Sequence, residues 1–372
     1  MAKFEFDLAT PDDDAPLRRI LAATPMDGAM SVSLRREPSY FDAAVVEGPF
    51  RQTIVARDRS SERIAAMGAR SVRLRWVCGE PVAVGYLSGL RCLPEYRSSG
   101  LIPRGYRYFR ELHGDHRTSA YLTTIADTNA GAIRLLTSGR AELPQYHDCG
   151  RYITAAIPIV PARRSARMLP NEVTIRPAEP TDLAAVLDFW NFVGPRRQFF
   201  PVYSPEDFFH PAATFRNLQP GDLQLAFRGK KLLGTLAAWD QTAFRQIVVE
   251  RYSAALSWSR LAYNAWAAMR RQPRLPRPGQ SFRWLTTALV AIDEDDESVF
   301  EALLEATMIR AAGKGWDCLL IGMHESDPLI QCVRHRQAIS YDTRCYVVCW
   351  SDGETFRERL DGRPPYLELG CL

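Results

Sequence analysis

The sequence predicts an α/β protein built as two successive units, each a sheet with helices packed on it. Three observations carry this reading. The chain opens twice with the same strand–cap–helix pattern, near residues 3 and 173. It twice repeats a strand, a short helix and a final strand, near residues 121 and 318. Between the opening and closing of the first unit, a strand runs through a loop of small residues into a helix. A repeated order of unlike elements points to duplication of one α/β unit.

Lys3 to Leu8 alternates polar and apolar residues, as a half-buried strand does. Thr10-Pro11-Asp12-Asp13-Asp14 then supplies a cap, a Pro at the first helical position and acids at the positive helix end. The helix follows through Leu17, Ile20 and Leu21. Arg63 to Val77 and Pro81 to Cys92 read as long strands joined by Cys78-Gly79-Glu80, a hairpin turn with Gly where a positive φ is needed. Tyr121 to Ile125 is a strand, a short helix starts near Thr128, and Tyr152 to Ile157 closes the unit.

The second unit repeats the order. Val173 to Ile175 is a strand, Ala178-Glu179-Pro180-Thr181-Asp182 a cap, and Leu183, Val186, Leu187 and Trp190 line a helix. Strands are expected near Leu223 to Phe227, Leu232 to Asp240 and Leu285 to Ile292, with an inserted helix over Tyr252 to Met269. Cys318 to Met323, a short helix from about Asp327 and Arg344 to Trp350 complete it. The expected organisation is 1–158 as the first unit, 159–171 as a Pro/Arg-rich linker, 172–352 as the second unit and 353–372 as a tail.

Composition excludes several classes. Apolar residues make up 46% of the 372 and charged residues 24%, an ordinary globular balance that rules out disorder, collagen and coiled coil. A net charge of +4 lacks the dense basic face of a nucleic-acid binder, so no nucleic-acid partner is expected. The eight cysteines are scattered, with Cys345 and Cys349 the one close pair, so free thiols and no metal site are expected. The N-terminus carries no apolar signal segment, and no uncharged apolar run approaches the ~20 residues of a membrane span. These readings place the protein in the cytoplasm.

The chemistry concentrates in Leu90-Arg91-Cys92-Leu93-Pro94-Glu95-Tyr96-Arg97-Ser98-Ser99-Gly100-Leu101-Ile102. It leaves a strand, crosses a small-residue loop and enters a helix that begins near Leu101, because Pro103 is tolerated only in a first turn. Unpaired N–H groups at the positive end of a helix dipole favour a phosphate, and small side chains let the anion approach. No Gly-Lys-Ser/Thr follows, so this is not a P-loop, and the G-x-G-x-x-G spacing is absent.

This stretch resembles the acyl-CoA segment of the GNAT superfamily of N-acetyltransferases. The family's strand end V-x-P-x-Y-R is matched by Cys92-Leu93-Pro94-Glu95-Tyr96-Arg97, and its R/Q-x-x-G-x-G/A loop by Arg97-Ser98-Ser99-Gly100, with Ile102 departing at the last small position. Asn129-Ala130-Gly131-Ala132 is similar to the family's Asn-x-x-Ala. The resemblance covers about residues 3 to 157. It implies two tandem GNAT-like domains, each a mixed, mostly antiparallel sheet flanked by helices, with acetyl-CoA or another acyl-CoA as co-substrate. It implies that the backbone of Leu90, Arg91 and Cys92 pairs with the pantetheine arm. Amides from Arg97, Ser98, Ser99, Gly100, Leu101 and Ile102 hold the pyrophosphate, Asn129 touches the pantetheine, and Arg104 reaches a CoA phosphate. The acceptor is the primary amine of a small molecule or peptide. A non-catalytic CoA sensor or scaffold is the alternative, and hydrolysis of the thioester without an amine a further one.

In the family, a tyrosine on the helix after Asn-x-x-Ala often protonates the departing thiolate. Leu136 stands there in this sequence. Tyr121 and Tyr146 are the substitutes by proximity, and Glu95 is the candidate base. The acidic run Asp293-Glu294-Asp295-Asp296-Glu297 takes the place of a phosphate loop in the second unit. It repels a pyrophosphate and suits a helix start, so the second unit is read as a degenerate copy. The helix bearing Trp258 and Trp266, with its Arg-rich exit, has three readings: packing on the other domain, a lid or dimer contact, and a membrane-surface helix. The oligomeric state is left open.

Overall fold

The chain opens as its pattern requires. A computed structural model describes residues 3–97, 99–140, 143–160, 173–208, 213–270, 272–336 and 339–372. Strand β1 (Phe4–Leu8) leads to a turn of 3-10 helix and then α1 (Asp14–Ala23). Asp13 accepts from the backbone of Thr10 at 2.9 Å, closing the cap from the carboxylate side. The second half does the same: β8 (Val173–Pro177) precedes α5 (Leu183–Val193), and Asp182 accepts from the Glu179 backbone at 2.8 Å.

The first half continues with β2 (Met30–Arg35), α2 (Tyr40–Ala44), β3 (Phe50–Asp58), β4 (Ile64–Val77), β5 (Glu80–Cys92), α3 (Leu101–His113), β6 (Tyr121–Ala126), α4 (Ala130–Leu136) and β7 (Gln145–Pro158). The β4–β5 hairpin turns as expected, with Cys78 at φ 53° and Gly79 at φ 88°. The second half contains β9 (Leu223–Arg228), β10 (Lys231–Trp239), β11 (Gln246–Tyr252), α6 (Ala254–Arg270), β12 (Trp284–Ile292), α7 (Glu297–Ala311), β13 (Cys318–His324), α8 (Ile330–Arg334), β14 (Ile339–Cys349) and α9 (Glu354–Glu358).

Among the described residues, twelve strands form one sheet in the order β1-β3-β4-β5-β6-β14-β7-β13-β12-β10-β9-β8. The order is symmetric about its centre, and the last strands are exchanged. β14 pairs antiparallel with β6 of the first half, and β7 pairs antiparallel with β13 of the second. The two exchanged strands then pair with each other, Tyr146 opposite Val348 and Tyr341 opposite Thr154. That mutual pairing explains why both begin several residues earlier than their apolar runs suggest. A second tie, unforeseen from sequence, is the two-stranded ribbon of β2 and β11.

The core is divided by the sheet. α3 and α4 cover one face of the first half, where Tyr106, Phe109, Tyr121, Ile125 and Leu136 pack. On the corresponding face of the second half, α7 packs Phe300, Leu303 and Leu304 against Ile321 and Ile292. The tail does not trail into solvent: Leu367, Glu368 and Cys371 are buried. Of the linker expected at 159–171, residues 161–171 lie outside the described residues. Ile159, just before them, packs in the second half's core.

Candidate functional site

β5 and β6 pair in parallel over two positions only, Gly85 with Tyr121 and Tyr86 with Leu122. Gly85 is required there, since a Cβ would lie 2.1 Å from the Tyr121 ring. One residue further, Leu87 offers its carbonyl to the Thr123 hydroxyl at 2.8 Å. From that point the strands part. The other edge of β5 bends as well: Ala69 faces Ser88 while Met67 faces Arg91, so Gly89 and Leu90 oppose Gly68 alone. This is a β-bulge, with Gly89 at φ 61°. A bulge at a fork turns backbone groups out of the ladder and towards whatever enters.

The loop beyond the fork is short. Pro94–Tyr96 make a 3-10 turn, and Ser99 donates to the Tyr96 carbonyl at 3.0 Å. Gly100 caps α3 in the left-handed region at φ 66°, with open space where a Cβ would stand and no side chain bonded to the helix start. Among the described residues, no side chain caps the first N–H groups of α3. Ser98 lies outside the described residues. Ile102 turns inward, lining an apolar crevice of about 20 Å³ with Phe6, Ile54, Gly68, Leu90 and Gly105. The departure from a small residue at this position is absorbed by the core.

Other expected ligand residues have local partners. Arg104 donates to the Phe4 carbonyl at 3.1 Å and lies over the Phe6 ring. Asn129 is the exposed N-cap of α4, accepting from Ala132 N at 3.1 Å. Arg91 donates to the Leu90 carbonyl at 2.9 Å, and burial, with Arg36 nearby, lowers its pKa. Arg97 is exposed, Leu101 is buried, and the Cys92 thiol is pushed up by burial. Leu90, Arg91 and Cys92 line the bulge side of the fork, and Gly100 with Leu101 stands beyond it.

Of the three catalytic candidates, Tyr121 and Tyr146 flank Val348 of β14 and pack in one cluster, and Glu95 lies outside that cluster. Tyr121 sits at the fork, its hydroxyl 3.0 Å from His113 Nδ1 and accepting from Arg70 Nη1 at 3.2 Å. His113 Nε2 in turn lies 2.9 Å from Asp352. Tyr146 is on β7, its hydroxyl 2.5 Å from that of Tyr106, and burial raises both, Tyr106 to about 12. Glu95 is on the outer turn, 3.7 Å from Arg63.

Sequence reasoning missed a charged constellation on the opposite face. Ala69 opposes Ser88, Ser71 opposes Tyr86, Arg73 opposes Val84 and Arg75 opposes Val82. Directly opposed residues share a face, so Ser88, Tyr86, Arg73 and Arg75 point away from α3. The buried Ser88 Oγ has no partner. Arg75 is 3% exposed, donates to the Phe199 carbonyl at 3.0 Å and is lowered to about 10 by burial, then by Arg73. Arg245, lowered to about 10 by burial and Arg36, shares Glu47 with Arg36. A buried strand spelling Arg70-Ser71-Val72-Arg73-Leu74-Arg75 was the available signal, since arginine is rarely buried without a reason.

The second half has its own fork. β12 and β13 pair in parallel from Trp284–Cys318 to Thr286–Leu320, and β12 bulges at Leu289, φ 56°. A cavity of about 150 Å³ lies there, lined among others by Tyr152, Arg197, His324, Asp327 and Tyr366. The acidic run begins as a 3-10 turn in which Asp293 pairs with Arg196 at 3.0 Å and Lys231 at 2.8 Å. Asp296 caps α7, as the helix-start reading expected.

Both halves of the one sheet have a bulged strand parting from its parallel neighbour ahead of a helix, glycine-led in the first half and capped by Asp296 in the second. In fold the chain is similar to solved GCN5-related N-acetyltransferases. No family model and no curated protein matches the sequence. Solved structures do. A GCN5-related glucosamine N-acetyltransferase region of a fungal multi-domain GH3 β-N-acetylglucosaminidase matches with a TM-score of 0.60 over 93% of this chain, at 13% identity; this chain spans 38% of that one. Saccharomyces cerevisiae N-myristoyltransferase with bound myristoyl-CoA matches at 0.59 and 10% identity, covering 94% of this chain and 83% of that one. A GCN5-related N-acetyltransferase from Sphaerobacter thermophilus matches at 0.52 and 13% identity, covering 100% and 99%. Among the described residues, no helix is long and apolar enough to cross a membrane.

Proposed function

We propose that the protein is an acyl-CoA-dependent N-acyltransferase whose donor site is the fork of the first half. The observation that supports this reading most is the bulge at Gly89, set where β5 leaves β6 and followed by the uncapped start of α3. The pantetheine pairs with Leu90 to Cys92 as an extra strand, and the pyrophosphate lies on the amides from Arg97 to Ile102. Bulge N–H groups polarise the thioester carbonyl and stabilise the oxyanion that forms on it. The amine nitrogen forms the new C–N bond and gives up one proton to water, the C–S bond breaks, and CoA leaves as thiolate. Tyr121, at the fork, is the best placed of the three candidates to protonate it. The acceptor is a primary amine of a small molecule or peptide, and the donor acetyl-CoA or a longer acyl-CoA. The second half is a degenerate copy.

Calorimetric titration with acetyl-CoA tests the donor site. Wild type binds and Gly100→Trp does not, because the indole projects into open space at the helix start. Amine-dependent release of free CoA then separates transfer from hydrolysis. The tied hydroxyls of Tyr121 and Tyr146 favour a second reading, a CoA-binding sensor, which binds the donor and releases no CoA with any amine.

A further inference from the structure

Helix α6 leaves an apolar face bare. On its inner side the loop of residues 272–280 folds back along it: Asn264 Nδ2 donates to the Leu275 carbonyl at 3.0 Å, Leu275 N donates to Asn264 at 2.8 Å, and Tyr252 on β11 donates to the Pro276 carbonyl at 2.8 Å. Arg260, Tyr263, Asn264 and the buried Ala267 share that side. At 3.6 residues per turn, Trp258, Leu261, Ala262, Ala265 and Met269 fall within about 100° of arc on the opposite side. There Trp258 is 88% exposed, Leu261 72% and Met269 75%. Among the described residues this face does not pack on the other domain, the first of the three readings, and no charged side chain interrupts the stripe.

The charge around the stripe selects its occupant. From Arg251 to Ile292 the sequence has no Asp or Glu, while Arg251, Arg260, Arg270, Arg271, Arg274, Arg277 and Arg283 fall in it. Arg270, Arg274 and Arg277 are exposed around the helix end and its returning loop. A second copy meeting this face symmetrically would bring arginines against arginines, a like-charge contact. An anionic lipid surface instead offers hydrocarbon to the stripe, an interface suited to Trp258 and negative headgroups to the arginines.

We infer that α6 docks this protein on anionic phospholipid membranes, with Trp258, Leu261 and Met269 entering the headgroup boundary and the surrounding arginines held by the lipid charge. This contact is independent of the transferase chemistry.

The test is sedimentation of the full chain with vesicles of phosphatidylcholine alone and with roughly one-third phosphatidylserine. Wild type pellets with the anionic vesicles, stays in solution with the neutral ones, and is released by salt. Trp258→Glu/Leu261→Glu binds at least about tenfold more weakly, because it removes buried apolar area and adds like charge. Both side chains are exposed, so the variant keeps the wild-type melting temperature. The inference is overturned by wild type that ignores both vesicles, or by anionic binding that survives the double variant. A dimer in velocity sedimentation, lost in the double variant and unaccompanied by vesicle binding, assigns the face to a second copy and overturns it too.

Discussion

The backbone N–H of Leu289 donates to the carboxylate of Glu368 at 2.9 Å. Leu289 is the bulge residue of β12, as Gly89 is of β5: Thr235 faces Ala291 and Ala237 faces Ala288, the spacing seen around Gly89. The tail thus places a carboxylate on the bulge amide of the second fork. Tyr203 and Tyr366 donate to the same oxygen at 2.8 and 2.9 Å. The bulge amide of this fork is thus taken by the chain's own tail, beside the cavity of about 150 Å³.

One acyl-CoA per chain is therefore expected in calorimetry. A stoichiometry of two would show that the tail yields to the ligand. Glu368→Ala leaves three buried donors unpaired and lowers stability by about 2–4 kcal/mol in denaturant unfolding, while Glu368→Gln loses less.

Exchange of β7 and β14 predicts that the halves cannot be parted under native conditions. A protease site introduced within residues 161–171 should give two fragments that co-elute in gel filtration and separate only in denaturant. A first unit expressed alone, 1–158, would keep β7 without its partners β13 and β14. It should be insoluble or self-associating, since unpaired strand edges seek partners. A soluble, monomeric 1–158 with a cooperative transition would contradict this.

Gly85→Ala should cost about 1–3 kcal/mol, because its Cβ must displace the Tyr121 ring or the backbone at the fork. Acetyl-CoA affinity should fall with it. An unchanged melting temperature would mean that the fork is more pliable than its geometry implies.

Tyr121→Phe removes the hydroxyl shared by Arg70 and His113 and should lower stability by about 1–3 kcal/mol. If Tyr121 protonates the thiolate, turnover falls while acetyl-CoA affinity holds. Tyr146→Phe, whose hydroxyl meets that of Tyr106, should lose stability with turnover kept.

Acid stability has a local source in the second cap. Arg176, hydrogen-bonded to Asp182 at 2.7 Å, and the Glu179 amide hold this carboxyl below its ordinary 3.8. A depressed carboxyl stabilises the fold above 3.8, and that contribution is lost as pH falls below it. Asp182→Asn should therefore lower the melting temperature at pH 7 and narrow its gap from wild type as pH drops below 3.8. A gap that stays constant would assign the effect to packing.

Much of this architecture was readable because its signals are local. The caps at Asp13 and Asp182, the Gly79 turn, the glycine-led start of α3 and the Asp296 cap each depend on residues a few positions apart. The strand, loop and helix of the proposed donor site were legible for the same reason, as one succession along the chain. The mutual placement of the catalytic candidates was not, because Tyr121, Tyr146 and Glu95 come from segments whose separation in space no spacing rule reports.

Chain order and hydrophobic period thus settle which segments are strands and helices, and that the two halves share one plan. Tertiary structure alone decides the partners. It sends β14 beside β6 and β7 beside β13, brings Arg36 and Arg245 from distant segments onto Glu47, and lays Glu368 on the Leu289 amide. A strand's alternation specifies which of its faces is buried, whereas its hydrogen-bonding edges look alike to every neighbour. Which edge they meet is settled only when the whole core closes.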